Sequence, residues 1–310
     1  MVVWIFSVCL VISVLNFIGW RGHAGNHFGN QMQHLRFAAT LPMHHSSIKP
    51  GQPLELAGYM GVYQHTRPAS HRVIAPYVRP ELASRMADLR PTILAAAARH
   101  NDPAQSGMSD REFAMIIALV LYNEHHGWLE DDITLLRAFR PWYEQAQVRV
   151  NRQGVGTNFS VWPTNLRPSV ALEILRHEVP VPEPTHVITV PIEVYGSQIV
   201  LDNYASHEAL LAAITQEITQ DELAIEYLAA NLRRGVYRAR YEGVPVTWWI
   251  LAAWHNQGIV QPVQICNNPT AASYVQRAAA YIPLARHFIA QEDALRLAHS
   301  RREHQGQARQ

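Results

Sequence analysis

At 310 residues, 48% hydrophobic and 16% charged, the chain has the composition of a folded protein with a sizeable core, which excludes a disordered polymer. A net charge of +1 gives no electrostatic footprint for nucleic acid, so no nucleic-acid partner is expected. Two cysteines, Cys9 in an apolar run and Cys266 in an expected loop, do not make a disulfide framework or a cysteine-based zinc site.

Val2 to Trp20 is apolar apart from Ser7, Ser13 and Asn16 and carries no charge. That is about the 20 residues needed to span a bilayer. Arg21 and His23 follow it. A misassigned start and, well behind, a buried core helix compete; otherwise residues 1–21 read as a signal anchor, or as a signal peptide without the usual basic start. Either reading places the rest of the chain in the cell envelope, membrane-anchored or secreted, with the membrane as a partner through this helix. Residues 22–79 are rich in His, Gly, Pro, Ser and Gln and read as a flexible linker. Its histidines, His44 and His45 among them, read as solvated linker ahead of metal ligands.

A globular domain is expected over 80–292, mostly α-helical. Pro80 to Leu89 and Pro91 to His100 read as two short helices, each opening on a proline. Ser109 and Glu112 form a capping box. The run Phe113 to Leu121 is apolar almost all round, the mark of a buried helix. It closes on Tyr122-Asn123-Glu124-His125-His126, with Gly127 as a stop. Ile133 to Val148 reads as an amphipathic helix, Asn151 to Asn165 as a loop, and Pro168 to His177 as a short helix. Val179 to Val200 carries four prolines and many β-branched residues, which predicts an extended loop or small hairpin. Ser206 to Ile214 is the next helix. Thr219 and Glu222 suit a second capping box, opening a long helix to about Tyr241. Val246 to Trp254 is a short apolar helix stopped near Gly258, Ala271 to Ala290 the last helix, and 293–310 a polar tail.

Glu124 is the candidate catalytic residue. It stands in the last turn of an otherwise buried helix, where desolvation and the negative end of the helix dipole both favour the neutral acid. A carboxylic acid that keeps its proton can give it to a leaving oxygen, as glycosidic bond cleavage requires. Alone, a glutamate at a helix end is more often a surface charge.

The order of the surrounding segments adds to this. Ile93 to His100 followed by Ala114 to Glu124, then Ser160-Val161-Trp162-Pro163-Thr164-Asn165-Leu166-Arg167-Pro168-Ser169-Val170-Ala171, then Asp221 to Leu232, then Ile250-Leu251-Ala252-Ala253-Trp254-His255-Asn256-Gln257-Gly258 run in sequence. In that order they resemble the lysozyme-like superfamily, specifically the soluble lytic transglycosylases and goose-type lysozymes, over roughly Arg79 to Ala290. The resemblance implies a lysozyme-like helical domain that cleaves the β-1,4 bond between N-acetylmuramic acid and N-acetylglucosamine in peptidoglycan. It implies Glu124 as general acid/base and peptidoglycan glycan strands as partner, with no cofactor. Substrate-binding positions carried over are Ser160, Asn165, His255 and Asn256; Asn165 stands where the family has glutamine, and His255 where it has tyrosine. His125 and Trp162 depart from the pattern, replacing the serine after the glutamate and a glycine.

Simpler roles compete. Asn165 and Asn256 can cap a neighbouring loop or helix end, His255 can be a satisfied core histidine, and Trp248, Trp249 and Trp254 suit a core. No metal is expected: His125 and His126 are adjacent, whereas a zinc-protease helix needs two histidines four apart. Glu130, Asp131 and Asp132 could supply the second carboxylate of a hydrolytic muramidase, though helix capping before Ile133 is the plainer role. The resemblance favours the single-acid route, in which Glu124 also takes the proton of the muramoyl 6-hydroxyl as a 1,6-anhydro ring closes. A catalytically inactive wall-binding module and a metal-dependent hydrolase are the other readings.

Overall fold

The computed structural model describes residues 76–125, 133–154, 157–182 and 186–307, which all lie in one of the two units into which the chain divides. These residues are mostly helical, as expected. The apolar N-terminal segment, most of the linker, His126, Gly127, Glu130, Asp131 and Asp132 lie outside them. Among the described residues no helix is long and apolar enough to cross a membrane.

Helix α1, Pro80–His100, is one 21-residue helix and not two. Pro91 lacks the N–H that would bond the Ala87 carbonyl. The helix continues because Leu82, Met86, Leu89, Ile93, Ala96 and Ala97 form one buried stripe that spans the proline. The end of the expected linker already belongs to the fold: Val78 packs on the core, Arg79 is buried, and the Tyr77 carbonyl accepts from Tyr281.

A short helix, α2 (Pro103–Ser106), leads to α3, Asp110–Glu124. Ser109 and Glu112 make the predicted reciprocal cap. Every residue from Phe113 to Glu124 except Met115 is buried. Each Leu, Ile or Phe there contributes about 2 kcal/mol of transfer free energy.

The segment expected as one helix from Ile133 is a 3-10 turn, Thr134–Ala138, followed by α4, Arg140–Arg152, which restarts at Pro141. Helix α5 spans Pro168–Leu175. The proline-rich stretch forms the expected small hairpin, β1 (Glu178–Pro180) antiparallel to β2 (Val187–Thr189). Helix α6, His207–Ile218, runs one turn longer than predicted. Helix α7, Asp221–Glu242, ends on Gly243 at φ 67°. Its start is not a capping box: Gln220 is the N-cap, and Thr219 donates to the Gln216 carbonyl.

Helix α8, Trp248–Gln257, is capped by Thr247. A short α9, Pro262–Cys266, replaces the expected loop at Cys266. Helix α10, Pro269–Gln307, continues well past Ala290, so the predicted polar tail is helical up to Gln307.

Two buried clusters organise these elements. One joins α1, α3, α8 and α10; the other joins α5, α6, the hairpin and the Val161–Leu166 turn. Helix α7 serves both, giving Ile225, Leu228 and Leu232 to the first and Tyr227 and Ala230 to the second. Glu124 projects from the first cluster, and the turn after Ser160 is rooted in the second by Val161 and Leu166, both at most 2% exposed. The candidate site forms where they meet.

Candidate active site

Glu124 is the last residue of α3 and only 6% exposed. Its Oε1 accepts from the Tyr274 hydroxyl at 2.7 Å, and its Oε2 accepts from Asn165 Nδ2 at 2.7 Å. Among the described residues no arginine pairs with it; the nearby basic group is His255, whose Nε2 lies 3.7 Å from Oε1. The carboxyl is thus held by two neutral donors.

Asn165 sits in a tight turn closed by the Val161–Leu166 backbone bridge and has φ 50°. Asparagine tolerates this left-handed conformation better than most side-chain-bearing residues. The same amide also donates to the Glu124 backbone carbonyl at 2.8 Å, so Asn165 both caps α3 and fixes the carboxyl. Its Oδ1 accepts from Arg140 at 3.5 Å.

His255 has a side chain only 1% exposed. Its Nε2 meets the Thr164 carbonyl at 2.8 Å, an acceptor only, so this nitrogen carries the hydrogen. Nδ1 then accepts from Asn231 Nδ2 at 3.3 Å, and Asn231 Oδ1 accepts from Arg234, itself paired with Glu173. Burial holds the imidazole below its ordinary range, against a weaker upward pull from Glu124 and the Thr164 carbonyl. His255 is therefore neutral and anchors the turn that carries Asn165. Burial, and then the charge of Glu124, push the Tyr274 hydroxyl well above its ordinary range, which keeps it a donor.

The structure brings Glu124, Asn165 and His255 together. It does not bring Asn256 in: that residue is exposed and accepts from Gln257. Adjacent helical residues point about 100° apart, and on α8 the inward place is taken by His255. Ser160 is half-buried in the segment entering the turn and is not among the hydrogen-bonding partners of Glu124. Tyr274 was not a sequence candidate. The only signal was a polar tip within the apolar face Ala271, Tyr274, Val275, Ala278 of α10. Trp254 is core as expected, donating to the Val260 carbonyl, with Trp248 and Trp249 packed at the core's edge.

A groove of about 740 Å³ opens between α1 and α4, with Trp162 in its wall. Glu124 does not line it. The wall residues Arg79 and Glu144 connect to the site: Arg79 donates to the His125 carbonyl and to Glu144, both at 3.1 Å, and Arg140 donates to Glu144 at 2.7 Å and reaches Asn165. Glu144 is thus neutralised by two arginines. Two polar atoms of the turn, Trp162 Nε1 and Thr164 Oγ1, are buried without a hydrogen-bond partner. No cluster of three or more His, Cys, Asp or Glu side chains suited to a metal occurs among the described residues. No family model, no curated protein and no solved structure matches this chain.

Proposed function

We propose that the protein cleaves the glycan strands of peptidoglycan at the muramoyl β-1,4 bond, with Glu124 as general acid and then base. The observation that carries this reading is a nearly buried carboxyl positioned at both oxygens by neutral donors, Tyr274 and Asn165, with no arginine paired to it among the described residues. The resemblance of the segments around Glu124, Asn165 and His255 to lytic transglycosylases supports the same chemistry. So does the apolar Val2 to Trp20 segment, which suits a domain held outside the cytoplasmic membrane.

In this reading Glu124 protonates the leaving glycosidic oxygen as the C1–O bond breaks. The resulting carboxylate, steadied by the Tyr274 and Asn165 donors, takes the proton of the muramoyl 6-hydroxyl while that oxygen bonds C1. A 1,6-anhydro ring forms and the acid is regenerated. General acid catalysis of this kind contributes about 10²–10⁴-fold. Glu144, the other carboxylate of the network, is tied to Arg79 and Arg140 and serves as their structural partner. No cofactor is called for.

Digestion of purified sacculi with the full-length protein tests the proposal. Mass spectrometry of the soluble fragments should show anhydro-muramoyl ends; reducing ends mean a hydrolytic muramidase, and no fragments refute cleavage. One observation favours a second reading. Both Glu124 oxygens are occupied and the carboxyl lies outside the groove wall, as in a structural anchor of a silent wall-binding module. That reading predicts sedimentation with sacculi and no release.

A further inference from the structure

The groove between α1 and α4 has a charge imbalance that the glycan chemistry does not use. Its walls hold four arginines, Arg79, Arg85, Arg149 and Arg152, against two glutamates, Glu81 and Glu144. Arg79 is committed to Glu144 and the His125 carbonyl. Arg85 is paired with Asp221 and stacks over the Trp162 ring at 4.4 Å from its centroid. Arg149 and Arg152 differ. Both are exposed, neither has a carboxylate partner among the described residues, and the one hydrogen bond of Arg152 goes to the Thr219 hydroxyl at 3.2 Å.

Their placement is set by helix geometry. Gln145, Val148, Arg149 and Arg152 fall at i, i+3, i+4 and i+7 of α4, so one face of that helix lines the groove. Residues three apart on a helix have their Cβ atoms about 5–6 Å from each other. Two guanidinium forks at that spacing suit a pair of carboxylates, or one carboxylate gripped from both sides. Their other role is to complement the negative end of the α4 dipole. That role needs only the helix terminus, and does not explain why both cations line a groove.

We propose that Arg149 and Arg152 bind the carboxylates of the peptide stem carried by the muramoyl residue, so that the α1–α4 groove recognises stem-bearing glycan. The proposal rests on the reading of Glu124 as acting on peptidoglycan. The groove borders that site through two shared structural links. Trp162 stands in the same turn as Asn165, and Arg79 and Glu144 bond the chain just after Glu124 and Arg140.

The test is direct binding to the full-length protein by calorimetry, with three probes: a disaccharide-tetrapeptide, the same disaccharide without its stem, and a poly(glycerol phosphate) chain. The wild type should bind the stem-bearing probe at least tenfold more tightly than the stem-free one. Arg149→Gln with Arg152→Gln should abolish that difference and leave stem-free binding unchanged. Arg149→Lys with Arg152→Lys should keep only part of it, since lysine lacks the fork. Equal affinity for both disaccharides, an unchanged double Gln variant, or preferential capture of the phosphate chain overturns the proposal. Cleavage of stem-free glycan separates the two readings. If the double Gln variant cleaves it at the wild-type rate while losing stem preference, both stand. If stem preference is found with no cleavage of any substrate, the groove assignment survives and the catalytic one fails.

Discussion

The Tyr274 hydroxyl donates to Glu124 Oε1 over 2.7 Å, joining residues 150 positions apart in the chain. The bond crosses from the second turn of α10 to the last turn of α3, the two helices that pack together in the first core. Tyr274→Phe keeps the ring and removes only the donor. A stability loss of about 1 kcal/mol is expected from the lost bond. Wall lysis should fall at least tenfold, because the carboxyl loses one of its two fixing groups. Dye release from labelled sacculi, beside a urea melt, checks both numbers.

Asn165 tests the second fixing group and the backbone separately. Asn165→Gly removes the amide but accepts φ 50° without strain, whereas Asn165→Ala removes it and strains the turn. Both should lose lysis to a similar extent. The Ala variant should be less stable than the Gly variant by about 1 kcal/mol. Equal activity of both variants with the wild type would show that the bond to Glu124 Oε2 is idle.

Gly235 lies on α7 where a Cβ would come within 2.7 Å of Leu251 and 3.3 Å of Trp254, each 1% exposed. Alanine is the better helix former by about 1 kcal/mol, but overpacking costs about 1–3 kcal/mol. Gly235→Ala should therefore lower stability, by about 1 kcal/mol, and shift α8, which carries His255. Thermal melts measure the first effect, and lysis rates the second.

The pH dependence of stability follows from two buried histidines. Burial, then the charges of Arg233 and Arg99, lower His100 to about 4, and burial lowers His255 as well. Both stay neutral in the fold, while in the unfolded chain they gain protons below about pH 6.5. The unfolded state then binds more protons, so stability is complete above that pH and falls as pH drops toward 4. The Glu226 carboxylate 2.9 Å from His100 Nε2 opposes this lowering, and the loss levels off once the folded form of His100 also titrates. Urea midpoints taken across this window should decline, and His100→Gln should flatten the decline.

Local rules made part of this structure legible in the sequence. The Ser109–Glu112 cap and the apolar run after it mark α3 by local sequence alone, and so place Glu124 at its end. The resemblance brought in Asn165 and His255. Two local rules failed where packing overrode them. Pro91 does not break α1, because the buried stripe continues on both sides. Thr219 does not cap α7, because it has φ −87° and ψ −13°, and its hydroxyl bonds backward to Gln216. Tyr274 was invisible for a different reason: a buried tyrosine reads as core until its partner is known, and that partner comes from α3. Asn256 misled because two adjacent polar residues on α8 look equivalent in sequence, while only His255 can face the turn at Thr164.

Bond cleavage is assigned to one carboxyl, and Glu124→Gln removes it. Glutamine preserves the size of the side chain but carries no transferable acid proton. The variant should be a folded protein with a near-wild-type melt that still sediments with purified sacculi and releases no muropeptides. Full lytic activity in the folded variant would contradict that assignment.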